Sequence, residues 1–163
     1  MSVMRSHAPT LAGIEALYRD RGRDFFRFAL ARTGSRELAQ DAVQEGFAGA
    51  IKSHRGFRGT GSLEAWVARC VINAAHDLVE QQGRPTGPGG DSDWADGPVP
   101  DRTVRAAIRG LPPRQREVLF LRFYLDFAYA SIADVLDIEV GTVSATLHAA
   151  RAALAQALKE VPT

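Results

Sequence analysis

Residues 111–154 read LPPRQREVLFLRFYLDFAYASIADVLDIEVGTVSATLHAARAAL, and their punctuation decides the fold. Pro112 and Pro113 suit the first turn of a helix, where a missing N–H breaks no hydrogen bond. YASIADVL (129–136) has the length of one short helix, Asp137 to Glu139 that of a tight turn, and 140–159 that of a longer helix. Short helix, turn, longer helix is helix-turn-helix spacing. The turn position that often needs a left-handed backbone holds Asp137, and Asp is among the few residue types that tolerate that conformation.

Working outward, Asp101 can cap a short helix that ends near Gly110. Before it lies GRPTGPGGDSDWADGPVP (83–100), too rich in Gly and Pro for helix or strand, and therefore a flexible linker. Upstream the helical pattern returns. Leu11, Ile14, Leu17, Tyr18, Phe25, Phe28 and Leu30 form an apolar stripe, closed by Gly34 as C-terminal glycine and Ser35 as the next N-cap. A second helix is expected from about Ser35 to His54, with Leu38, Ala42, Val43, Phe47, Ala50 and Ile51 inward. FRGTGS (57–62) breaks the pattern, and Ser62 can cap a third helix through about Gln82 with Leu63, Trp66, Val67, Cys70, Val71, Ala74 and Leu78 available for packing. The expected fold is all-α: a three-helix module at 10–82, the linker at 83–100, and a helix-turn-helix module at 101–160. No run of alternating β-branched residues supports a sheet.

Composition narrows the function classes. The 163 residues are 45% hydrophobic and 24% charged, the balance of an ordinary globular protein. With 20 basic and 19 acidic residues the net charge is +1, so any case for nucleic-acid binding must be local. The linker, with one basic and three acidic residues, is the acidic part. The single cysteine, Cys70, can form no internal disulfide and reads as a small core residue. Of the four histidines, only His76 has an acidic residue, Glu80, at the i, i+4 spacing of a metal-ligand pair, and two such residues without a third read as solvent-facing polar side chains. No phosphate loop, nucleophile elbow or zinc-protease pattern occurs, so neither an enzyme, a metal nor a cofactor is expected. No stretch approaches the roughly 18 apolar residues of a membrane helix, and the first residues lack the apolar run of a secretory leader. The expected location is the cytoplasm.

Two separated motifs resemble the extracytoplasmic-function (ECF) sigma factors, which bring bacterial RNA polymerase to promoters. The first is LAQDAVQEGFAGA (38–50), similar to the family's D-x-V-Q-E-x-F pattern, continued by FRGTGSLEAWVARCVINAAHD (57–77). The second is LPPRQREVLFLRFYLDFAYASIADVL (111–136) with VGTVSATLHAARAAL (140–154), similar to L-P-x-x-x-R-x-V and G-T-V-x-x-x-L-x-x-A-R. They stand in the family's order and spacing.

The resemblance implies a division of labour. Asp41, Gln44 and Glu45 would face the clamp helices of core RNA polymerase while Phe47 packs inward. Phe57, Arg58, Ser62, Trp66, Arg69, Asn73 and Asp77 would lie along the −10 promoter element that melts. Aromatic and Arg side chains suit that task, since they stack on or clamp an unpaired base. The last helix would enter the major groove of the −35 element through Thr142, Ser144, Ala145, Thr146, His148 and Arg151. An anti-sigma partner is also expected by resemblance, and the linker's Asp91, Asp93 and Asp96 suit a connector threading the polymerase's RNA path.

Several positions depart from the family pattern. The usually basic recognition helix has Ser144, Ala145, Thr146 and Ala149, leaving Arg151 as its cation, and fewer phosphate contacts mean less counterion release. In the first module Ile72 and Glu80 replace expected basic residues. Ala128 stands where Ser or Thr usually caps, and Ser131 where Glu is usual. Two alternatives stay open on these grounds: a sigma-like regulator that binds polymerase or an anti-sigma factor but reads DNA weakly, and a stand-alone helix-turn-helix regulator.

Overall fold

The computed structural model describes residues 11–57, 61–82 and 101–160. Among them the chain is all-α: α1 (Leu11–Thr33), α2 (Arg36–Ser53), a 3₁₀ turn (His54–Gly56), α3 (Leu63–Gln82), α4 (Arg102–Arg109), α5 (Pro113–Phe123), α6 (Tyr129–Leu136) and α7 (Val140–Lys159).

Local chemistry sets the ends of these helices. Gly34 takes φ +69° after α1, and its N–H donates to Leu30 O at 2.9 Å. Ser35 Oγ then accepts from Leu38 N, Ser62 Oγ accepts from Ala65 N at 3.1 Å, and Asp101 Oδ1 accepts from Thr103 N and Val104 N. Each satisfies an orphan N–H of a first helical turn. Asp137 is left-handed at φ 55°, ψ 51°, as expected, and its N–H reaches back to Ala133 O. A second left-handed residue, Asp126 at φ 58°, was not anticipated; it turns the chain between α5 and α6 so that Phe127 N donates to Leu121 O at 2.9 Å.

In the first module α1, α2 and α3 pack on one another around Ile14, Phe25, Phe28, Phe47, Val67 and Val71. Phe25 meets Phe47 edge to face at 5.3 Å between ring centroids. In the second, α7 packs on α4, α5 and α6 around Leu121, Leu125, Ile132 and Leu147. The two modules also touch: α1 packs on α5 and α3 on α6, and their apolar residues join in one continuous core. Nothing in the sequence motifs called for that contact.

Four positions differ from the sequence expectation. Ile51 was expected inward but is 46% exposed, because the buried stripe of α2 runs through Ala42, Val43, Gly46, Phe47 and Ala50 and leaves Ile51 on its flank. Leu11 and Tyr18 are likewise half exposed, although the Tyr18 ring still lies edge-on to Phe47 at 5.1 Å. Ile72 belongs to the core and not to a DNA-facing surface, being fully buried beside Val71. The reason is that α3 has neighbours from both modules, so a wider arc of it is covered.

Candidate nucleic-acid and polymerase interfaces

Three surfaces gather the residues singled out from the sequence. On α2, Asp41, Gln44 and Glu45 stand three and four residues apart and so share one stripe, opposite the buried Ala42, Val43 and Phe47. Gln44 and Glu45 are exposed and Asp41 is half-buried. This is a polar, solvent-facing helix stripe beside an anchored core.

The second surface is a cleft of about 370 Å³ where the loop before α3 meets α3 itself. Phe57, Ser62, Trp66 and Arg69 line it. Spacing explains the grouping, since Ser62, Trp66 and Arg69 follow one another at helical intervals, and Phe57 leans over the turn to put its ring 5.3 Å from Trp66's, tilted by 52°. Two half-buried aromatic rings with an exposed guanidinium at their side make a stacking platform with a cation for a phosphate or base. Asn73 and Asp77 are exposed further along α3 and outside the cleft. Arg58 and the acidic linker residues lie outside the described residues.

Across the cleft stand Ser131 and Asp134 of α6, which the sequence reading did not include. No motif signals them, because they enter through the packing of one module on the other. Burial pushes the Cys70 thiol up, against the opposing pull of the Arg69 charge, so the residue behind this surface stays a protonated packing group.

The third surface is the N-terminal half of α7. Thr142, Ser144, Ala145 and His148 are exposed, Thr146 is half-buried, and Val143, Leu147 and Ala150 turn into the core. Arg151 is exposed and holds its guanidinium 5.3 Å from the centre of the Phe123 ring. The exposed face of the helix therefore carries hydroxyls, methyl groups and one cation. Glu139, at its N-cap, makes no side-chain capping bond.

The modules meet around a carboxylate. Glu117 of α5 is fully buried. Its Oε1 lies 3.2 Å from Arg32 Nε of α1 and 3.3 Å from His76 Nε2 of α3, and Arg114 NH1 donates to its Oε2 at 3.3 Å. Arg32 Nε approaches as a charge without hydrogen-bond alignment. A few residues away Arg21 of α1 pairs with Glu64 of α3 at 2.8 Å and donates to the Tyr124 and Leu125 carbonyls beyond α5 at 3.1 and 3.4 Å. His76 thus turns to Glu117, and among the described residues no group of three His, Cys, Asp or Glu side chains could hold a metal ion. The sequence did carry a signal for Glu117: it stands three and four residues before Phe120 and Leu121, on the apolar stripe of α5, where a carboxylate needs partners.

Comparison with known proteins bears on both modules. The family profile for sigma-70 region 2 matches residues 17–85, and that for sigma-70 region 4 matches residues 101–154. The ECF RNA polymerase sigma factor SigM of Mycobacterium tuberculosis is 30% identical over 94% of this chain and 85% of its own length. The chain belongs to the ECF sigma factor family. The sigma-H factor of Pseudomonas aeruginosa is 33% identical over 74% of this chain and 73% of its own. SigG of M. tuberculosis is 32% identical over 81% of this chain, which spans only 45% of that sigma factor's length. Two solved structures share the ECF fold: CnrH in complex with the cytosolic domain of CnrY (TM-score 0.73, 21% identity, 96% of this chain and 94% of that one) and the sigma factor RpoE with the anti-sigma factor NepR from Bartonella quintana (0.70, 22%, 91% and 99%).

Proposed function

We propose that this ECF-family chain is a transcription-initiation factor that docks on core RNA polymerase and directs it to a specific set of promoters. The observation that carries the reading is the pairing, in one chain and in family order, of a region 2 and a region 4 match. Residues 10–82 bind polymerase through Asp41, Gln44 and Glu45 and hold the opened −10 element on Phe57, Arg58, Ser62, Trp66, Arg69, Asn73 and Asp77. Residues 101–160 read the −35 element with Thr142, Ser144, Ala145, Thr146, His148 and Arg151, and 83–100 connect the two. Strand opening then needs no covalent chemistry: the platform binds an unstacked base and thereby selects the open state.

Such a factor works in the cytoplasm. No helix among the described residues is long and apolar enough to cross a membrane, which agrees with that setting. The relatives held by the cytosolic domain of CnrY and by NepR support an anti-sigma partner for this chain too.

A second reading, a sigma-like regulator that holds polymerase or an anti-sigma factor but reads DNA weakly, is favoured by one observation. The recognition helix presents uncharged Ser144 and Ala145 where cations would contact phosphate. Both readings require polymerase or anti-sigma binding, and the first test is co-purification of core polymerase with the intact protein. Asp41→Ala with Gln44→Ala is expected to lower that binding at least tenfold while the helical content stays unchanged; undiminished binding counts against both the site and the assignment.

A further inference from the structure

Among the described residues three guanidinium groups lie over aromatic rings, and they differ in what else they touch. Arg122 lies over Tyr129 but also donates to Phe127 O at 3.1 Å, which ties it into the loop between α5 and α6. Arg36 lies over Phe26 and has a further partner besides. Arg151 has the ring alone. Its guanidinium carbon stands 5.3 Å from the centre of the Phe123 ring, and no carboxylate or carbonyl among the described residues receives its N–H groups. Along α7 itself no Asp or Glu stands between Val140 and Lys159 to claim the charge.

That arrangement suits an incoming anion. An aromatic face attracts a cation without offering it a lone pair, so the charge is held in place while the five N–H donors keep their capacity. A guanidinium in that state matches the paired oxygens of a phosphate. Phe123 is 53% exposed at the end of α5, whereas Phe120 and Leu121 just before it turn into the core. Core burial therefore does not account for this ring; its contact with Arg151 does.

Position along the helix selects the kind of anion. Ser144, His148 and Arg151 fall at i, i+4 and i+7 on α7 and are exposed together. Seven residues span about 10 Å of helix. The major groove is roughly 8.5 Å deep. With Ser144 at the base edges, as the −35 reading has it, Arg151 stands at the level of the sugar-phosphate backbone.

We infer that Phe123 is a positioning residue for Arg151, and that the two form a clamp for one backbone phosphate of duplex DNA beside the groove that α7 enters. The inference rests on the −35 reading above and divides its residues: Ser144 and Ala145 lie toward the bases, while Arg151 fixes the register of the helix on the backbone.

The test is nuclear magnetic resonance on the full-length protein at low salt, with two short duplexes of unrelated sequence as probes. The exposed face of α7 needs no polymerase to meet them, and the Nε–Hε signal of Arg151 reports the site directly. In the free protein the ring current of Phe123 should displace that signal; Phe123→Leu removes the displacement and Phe123→Tyr keeps it. Both duplexes should then move the signal alike. Phe123→Leu is expected to weaken duplex binding about two- to fivefold, the loss of one exposed cation–ring attraction, with Phe123→Tyr restoring it and Tm unchanged in both. Arg151→Gln should flatten the slope of log K against log salt by about 0.9. A displacement that survives Phe123→Leu, or a loss of binding that Phe123→Tyr fails to restore, overturns the positioning role. A response to one duplex alone marks a base contact and overturns the phosphate assignment. If the Ser144 and His148 signals move with DNA while that of Arg151 does not, the clamp is wrong and the −35 reading stands; if no signal of α7 moves, both fail.

Discussion

A Cβ placed on Gly46 of α2 would stand 2.6 Å from the Cα of Val71 in α3, so these two helices meet backbone to backbone at that point. The closeness positions the polar stripe of α2 and the cleft beside α3, since Glu45 precedes Gly46 and Arg69 and Val71 share one turn. Gly46→Ala is expected to force α2 and α3 apart, at a cost of about 1–3 kcal/mol. In a thermal melt a loss of ~2 kcal/mol lowers Tm by about 4–8 °C for a chain of this size. Gly49→Ala, at an exposed position with nothing within 4 Å, is the control and should be neutral or stabilising.

Asp137 holds a left-handed backbone at the turn between α6 and α7. Gly at that position removes the Cβ conflict, and Val aggravates it. Asp137→Gly should raise stability by up to ~1 kcal/mol, offset in part by the freer unfolded chain, whereas Asp137→Val should cost about 1–3 kcal/mol. Denaturant titration of both variants checks the order; Val equal to Gly would contradict the turn assignment.

Ala128 leaves the N-terminus of α6 without a side-chain cap, at a residue with φ −67° and ψ 157° that already suits capping. Ala128→Ser supplies an acceptor for an orphan N–H of the first turn. The expected gain is about 0.5–1 kcal/mol, read as a higher denaturation midpoint with an unchanged slope.

The recognition helix offers a charge-addition test. Ser144→Lys and Ala145→Arg restore cations on the exposed face of α7. Each new phosphate contact should steepen the dependence of log K on log salt by ~0.9 and strengthen holoenzyme binding at low salt. A titration in which the slope does not move would show that this face does not lie against DNA.

Helix positions and the left-handed turn were legible because they are local: Ser35, Ser62 and Asp101 cap where their side chains can reach, and Phe47, Val71 and Leu147 repeat at helical spacing. What escaped was long-range. Ile72 sat on the wrong side of the reading because a helix packed from two sides buries a wider arc than one core predicts. Ser131 and Asp134 join the cleft only through the contact between modules, and spacing within α6 carries no trace of it. Glu117 is the instructive case, since its place on an apolar stripe marked it as needing partners without saying that Arg32 and His76, about 85 and 41 residues earlier, would supply them.

In the cleft beside α3, Trp66→Ala and Arg69→Ala remove the aromatic ring and the cation while leaving α2 untouched. Promoter opening, followed by permanganate reactivity of unpaired thymines, should fall by tenfold or more, corresponding to the ~1–3 kcal/mol lost per unstacked base, with polymerase binding retained. Parallel loss of binding and opening would assign those residues to folding.

The measurement that tests the central claim most directly is transcription from fragmented genomic DNA by purified core polymerase with and without this protein, with every transcript start sequenced. A working ECF sigma factor produces new starts that share upstream −35 and −10 elements, and Arg69→Ala removes them. No new starts from a chain that still co-purifies with core polymerase would contradict promoter recognition and leave the weak-DNA regulator as the reading.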